Sequence, residues 1–206
     1  MKLEIDQILE QIDEIDWGIM VGRPFLPPPV SRAFCDLFSE TTTELEKACR
    51  FFDHHFLFQG NLHPGAFYIT PFLVASLCTG IGVGGREKVY EILGEIGRGT
   101  ADLKDTVSFE RVYESFHYFK PSRSGVSLPL EIACHNAVSE GLPIYLSDLD
   151  KNEECLSSVL DLVYCFPQFY ELAKGKISEL LRAGNPSEHK FKLLRKAQIE
   201  LRRSKF

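Results

Sequence analysis

Long apolar runs, paired cysteines and catalytic motifs are missing from this sequence of 206 residues, and strand signals are nearly absent. The long uncharged stretch from Gly60 to Val83 is broken by Asn61, His63, Pro64, Thr70, Pro71 and Ser76. It therefore falls short of the ~20 consecutive apolar residues that a membrane span needs. The six cysteines (Cys35, Cys49, Cys78, Cys134, Cys155 and Cys165) stand singly, with no Cys-x-x-Cys pair. That spacing argues against zinc binding and a dense disulfide framework. The opening residues, MKLEIDQILEQIDEID, reverse the basic-then-apolar order of a signal peptide. The expectation is a cytoplasmic protein whose reduced thiols act as small buried apolar groups. With 44% hydrophobic and 25% charged residues, the chain has the composition of a globular protein with its own core, not of a disordered one.

Net charge is −6, unevenly spread. Residues 186–206 carry seven Lys or Arg against Glu188 and Glu200, a net of +5 that leaves −11 on residues 1–185. An acidic body repels nucleic acid, so no direct nucleic-acid binding is expected. The basic segment reads as the polar side of a terminal helix, where cations complement the helix dipole.

Helical periodicity is what the chain does have. Leu3, Ile5, Ile8, Leu9, Ile12 and Ile15 form one apolar stripe that stops near Trp17-Gly18. The segment from Gly22 to Pro29 contains three successive prolines and must be an extended connector. A short helix is expected over Ser31–Phe38, and Thr43-Glu-Leu-Glu46 has the spacing of a capping box opening a helix to about Phe58. Thr70-Pro71 looks like the start of an apolar, buried helix. Further helices are expected over Arg86–Arg98, Ser108–Phe119, Leu128–Glu140, Pro143–Leu149, Glu153–Phe166, Pro167–Ala183 and Pro186–Arg203. The implied fold is all-α, a solenoid of antiparallel helix pairs in one domain over residues 1–206. Residues 1–42 would cap it, and residues 100–127, including Phe109–Arg123, would be an insertion.

Motifs that suggest chemistry fail on context. Gly80-Ile-Gly-Val-Gly-Gly85 lacks the preceding strand and the spacing of a dinucleotide loop, and reads as a turn using glycine at positive φ. Asp148-Leu-Asp150-Lys-Asn152 starts like a calcium loop but has Glu153 at the glycine position and Val159 at the twelfth. Asp150 or Asn152 as a helix cap explains it. The adjacent His54 and His55 diverge by about 100° on a helix and cannot share a metal. Cys134-His135 likewise point apart, which leaves a nucleophilic cysteine unsupported. No metal, cofactor or catalytic residue is expected.

Two segments go further than generic helix. Gln59-Gly60, Ala66 and Pro71-Phe72-Leu73 resemble a HEAT-like repeat family of small bacterial proteins, in which a helix ends in His-Gln-Gly before Val-Pro-Phe-Leu opens a buried one. The histidine position is Phe58 here. Cys134-His-Asn-Ala137-Val-Ser-Glu-Gly141-Leu-Pro is similar to a second motif of that family, and together the likeness covers about residues 43–98 and 128–185. The resemblance implies a non-enzymatic binding scaffold, many such proteins resembling immunity proteins that neutralise a bacterial toxin. The expected partner is then a cognate toxin, basic or acting on nucleic acid, because charge complementarity speeds association. The candidate partner-binding residues are Tyr113, Glu114, Phe116 and Tyr118, with Glu131 and Glu171 on the polar sides of later helices. The aromatics suit both a core face and a surface anchor, and both readings stay open. A general helical-repeat scaffold in a cytoplasmic assembly is the alternative, and a small helical hydrolase a third.

Overall fold

The computed structural model describes residues 3–19, 29–183 and 186–203, so the proline-rich connector expected over Gly22–Pro29 lies, except for Pro29, outside the described residues. The described residues contain ten α-helices and three β-strands, and the chain divides into two compact units, Met1–Glu140 and Gly141–Phe206.

The first unit holds α1 (Ile5–Asp13), α2 (Val30–Asp36), α3 (Thr42–Phe56), α4 (Pro64–Ser76) and α5 (Val83–Arg98). After these come β1 (Thr106–Tyr113), β2 (His117–Pro121), β3 (Val126–Pro129) and α6 (Leu130–Ser139). At its centre is α4, which is apolar all round and buried from Gly65 to Leu73. It touches α1, α3, α5, α6, β1 and β2. Pro64 opens α4 at its first position, where proline's missing N–H is no loss, so Pro71 sits inside the helix and not at its start. Thr70 turns its hydroxyl onto the Ala66 carbonyl at 2.7 Å. The cap of α3 also differs from expectation. Thr41 stands at the N-cap, and Glu44 accepts from the hydroxyls of Thr41 and Ser39.

The expected all-α solenoid is overturned by a three-stranded antiparallel sheet ordered β2-β1-β3. Phe109, Val112, Tyr113, Phe116 and Phe119 fit a helical stripe when counted at three and four. Val107, Phe109, Arg111 and Tyr113, however, also alternate along an extended strand, and β-branched and aromatic residues favour it. Packing decides between the two. Antiparallel pairing sets Phe109 opposite Pro121, Arg111 opposite Phe119 and Tyr113 opposite His117. This brings the rings of Phe109 and Phe119 within 5.0 Å of each other, and both onto Phe67 of α4. The tight turn over residues 114–116 closes through the Glu114 N–H on the Phe116 carbonyl, and it has none of the Asn-Gly chemistry that marks many hairpins. Val126–Pro129 is likewise strand where the helix expected from Leu128 would have begun.

The glycine-rich stretch is a turn over residues 80–82, as expected, and helix from Val83 on. Gly82 is the N-cap of α5, and Gly84 and Gly85 lie in its first turn. The positive φ angles are found instead after α3, at Gln59 (54°) and Gly60 (81°), which turn the chain back toward α4.

The second unit holds α7 (Leu142–Lys151), α8 (Leu156–Tyr164), α9 (Tyr170–Ala183) and α10 (Glu188–Arg203). Its core is aliphatic, with Leu149, Leu156, Val159, Val163, Ile177, Leu194 and Leu201 all buried. Asp148 is buried and accepts from the Asn152 amide at 2.8 Å, so the calcium-like run serves to close α7. Ser187 caps α10 by accepting the Lys190 N–H at 3.1 Å. Gly175 lies inside α9 with open space where a Cβ would go. Gly175→Ala is expected to stabilise the chain by about 0.5–1 kcal/mol through helix propensity alone, read as a higher midpoint in urea.

Candidate partner-binding surface

Four of the six expected contact residues come together at one end of the β1–β2 hairpin. Tyr113 ends β1 and is 75% exposed. Glu114 begins the turn and is exposed, and Phe116 ends it half-buried, edge-on to Phe72 at 5.5 Å. Tyr118 is fully buried, its ring 5.3 Å from Phe72, so it belongs to the core and only its hydroxyl reaches the surface cluster. Glu131 is exposed in the first turn of α6. Glu171 lies in the second unit, exposed and paired with Lys174 one turn along α9, which makes it ordinary helix surface.

Three sets of contacts brace this hairpin. Beneath it lie the Phe67, Phe109 and Phe119 rings. On one side Arg111 makes a two-pronged ion pair with Glu140 at 3.1 and 2.6 Å while its guanidinium sits 5.0 Å above the Phe119 ring. His117 Nε2 adds a contact to the same carboxylate at 2.7 Å. On the other side the hairpin is tied to α1. Lys120 donates to Glu14 at 2.6 Å, and the buried Gln11 donates from Nε2 to Glu114 at 2.7 Å. The Lys120 hydrogen bond and charge hold the Glu14 carboxyl below its ordinary value, and Glu14 in turn raises Lys120. Burial, against the opposing pull of Lys120, raises the Tyr118 phenol.

Sequence reasoning missed the α1 side of this surface. Glu4, Asp6, Glu10, Asp13, Glu14 and Asp16 are all exposed, and no Lys or Arg occurs between Leu3 and Gly22. That unbalanced run was the available signal. What it could not convey is that Gln11 and Glu14 join the acidic helix to a hairpin about 100 residues away in sequence.

Gln11 is the odd residue on the α1 core face. It is buried beside Ile8 and Ile12, and its Oε1 has no hydrogen-bond partner among the described residues. An orphaned buried carbonyl costs about 1–3 kcal/mol.

Shallow clefts elsewhere, between α3 and α5, are lined by Cys49, Asp53, Glu91, Glu95 and Arg98. Burial, then repulsion from Asp53, raises the Glu95 carboxyl. Burial pushes the Cys49 thiol up to about 11 and raises Cys35 and Cys134 as well, so none of these three is primed as a thiolate. None of the six cysteines is in a disulfide, and only Cys134 and Cys155 are buried, so the expectation of buried thiols holds for those two. No group of metal-ligating side chains is found among the described residues. No helix among them is long and apolar enough to cross a membrane.

No known family, curated protein or solved structure matches this chain. The surface therefore has to be read from its own residues. It offers an exposed aromatic at Tyr113, a Glu114 carboxylate that accepts from Gln11, and an acidic helix.

Proposed function

We propose that this protein is a non-catalytic binding protein that presents the β1–β2 hairpin and the acidic face of α1 to a basic protein partner. More specifically, it acts as an immunity protein that neutralises a cognate bacterial toxin by covering its active or substrate site. The carrying observation is Tyr113, a large aromatic left 75% exposed on a hairpin that is otherwise pinned from three directions. Tyrosine is enriched among interface hot spots, and a braced hairpin loses little conformational entropy on binding. The exposed carboxylates of α1 would steer a basic partner toward it, an attraction that weakens as salt shortens the Debye length to about 8 Å at physiological ionic strength. The motif resemblance over residues 43–98 and 128–185 supports the toxin as the class of partner.

Co-expression with the product of the neighbouring gene, followed by pull-down and growth rescue, tests the reading. Neither complex nor rescue would remove the immunity function. In that complex Tyr113→Ala is expected to weaken binding by about 2 kcal/mol, roughly 30-fold. Its exposure predicts an unchanged thermal midpoint, so calorimetric titration beside a melting curve separates lost contact from lost fold.

A further inference from the structure

The geometry points to Glu114 as the carboxylate that receives a single arginine side chain of the partner, with Gln11 as the positioning residue that holds it ready. This rests on the reading of the hairpin and α1 as a partner-binding face.

Gln11 is the unusual residue of α1. It is 5% exposed on a helix face otherwise made of Leu3, Ile8, Ile12 and Ile15. Methionine would fill the same space with no unsatisfied atom. The interaction its amide makes is the 2.7 Å hydrogen bond to Glu114 Oε2, made while its own Oε1 stays without a partner among the described residues. A buried polar group that loses stability on one side and orients an exposed carboxylate on the other has a positioning role. Glu114's second oxygen lies 3.3 Å from the Tyr118 hydroxyl, which is also 3.4 Å from Glu14. One phenolic proton cannot serve both carboxylates. Glu14 has Lys120 at 2.6 Å, whereas Glu114 has no cation among the described residues. Glu14 and Glu114 against Lys120 leave one negative charge at the cluster, and it resides on the carboxylate that is exposed and held still.

Why arginine follows from the holding itself. A carboxylate has about four lone-pair positions; Gln11 occupies one on Glu114 Oε2, and the Tyr118 hydroxyl, shared with Glu14, takes at most one on Oε1. A planar guanidinium donates two parallel N–H bonds and needs its acceptor fixed in orientation. An ammonium is a point charge that gains little from a fixed acceptor.

Hexa-arginine peptide titrated into the full chain at low salt is the probe. Glu114→Gln, and also Glu114→Asp, which keeps the charge but draws it back from Gln11, are each expected to weaken binding about tenfold. Gln11→Met should weaken it several-fold while the thermal midpoint stays the same or rises. Asp102→Asn, in an exposed position before the far end of β1, should leave affinity within about twofold, as a distant and screened charge does. Hexalysine should bind with no loss on Glu114→Asp. The proposal is overturned if Glu114→Asp binds hexa-arginine like the parent chain, or if Asp102→Asn weakens it as much as Glu114→Gln. Unchanged affinity in a folded Gln11→Met protein removes the positioning role. If growth rescue fails while the peptide results hold, the toxin reading goes and this site stays. If rescue succeeds undiminished with Glu114→Asp, the site goes and the toxin reading stays.

Discussion

Phe67→Ala is expected to lower the stability of the first unit by about 3–5 kcal/mol. Phe67 is 1% exposed, stacked on Phe119 with centroids 4.5 Å apart and planes 14° from parallel, and tilted against Phe109 at 4.7 Å. Removing the ring leaves a cavity between the central helix and the sheet and takes away aromatic pair energy beyond the buried area. Trp17, the single tryptophan, packs on Phe56 and Phe72 in the same unit, so its fluorescence follows urea unfolding of that unit. Hydrogen exchange should show β1 and β2 losing protection before α4 does. A loss below about 1 kcal/mol would mean that the surrounding side chains collapse into the space and that the sheet is held by its other contacts.

Gly85→Ala should be nearly as damaging, with a cost of about 3 kcal/mol at the upper end for overpacking. A Cβ built at Gly85 comes within 1.9 Å of the Leu37 carbonyl oxygen, so α5 or the end of α2 would have to move. The adjacent position supplies the contrast. At Gly84 the nearest atom is the Cδ1 of Leu45 at 2.9 Å, the end of a side chain that can rotate away. There the packing strain is partly offset by the ~1 kcal/mol of helix propensity that alanine gains over glycine. Urea melts of the two variants should differ by at least about 2 kcal/mol. Equal effects would show that backbone contact with α2 is not what requires glycine at 85.

Both substitutions bear on why helices were readable and the sheet was not. Segments such as Val83–Arg98 and Tyr170–Ala183 run three turns or more, so their apolar spacing has room to distinguish a period of 3.6 from a period of 2. β1 has eight residues, β2 five and β3 four, and over such lengths a helical stripe through Phe109, Val112 and Tyr113 and a strand alternation through Val107, Phe109, Arg111 and Tyr113 both fit. Phe67, some 40 residues earlier, decides between them because it packs on Phe109 and Phe119 together, which strand pairing brings side by side as diagonal neighbours. The helical half of the glycine-rich stretch, from Val83 to Gly85, was misread as loop for a related reason. Glycine's usual association with loops hid a demand for close packing against Leu37, a residue distant in sequence.

The candidate surface divides along the same line. Tyr113 and Glu114, chosen because they are aromatic and acidic in a segment flanked by loops, are exposed on the hairpin. Tyr118, chosen on the same grounds, went to the core, and Glu171 became an i,i+3 pair on α9. Gln11 had no local signal at all, since one glutamine on an amphipathic helix near its polar boundary attracts no notice.

Composition and local spacing by themselves determined the predominance of helix, the absence of a membrane-spanning run, the acidic first helix and most helix boundaries, because those depend on neighbours within a turn or two. Strand pairing, the glycine required at 85 and the joining of Gln11 to Glu114 were decided only by tertiary structure. Each depends on atoms brought within a few ångströms from residues about 10 to 100 positions apart, and no local pattern records which of them will meet.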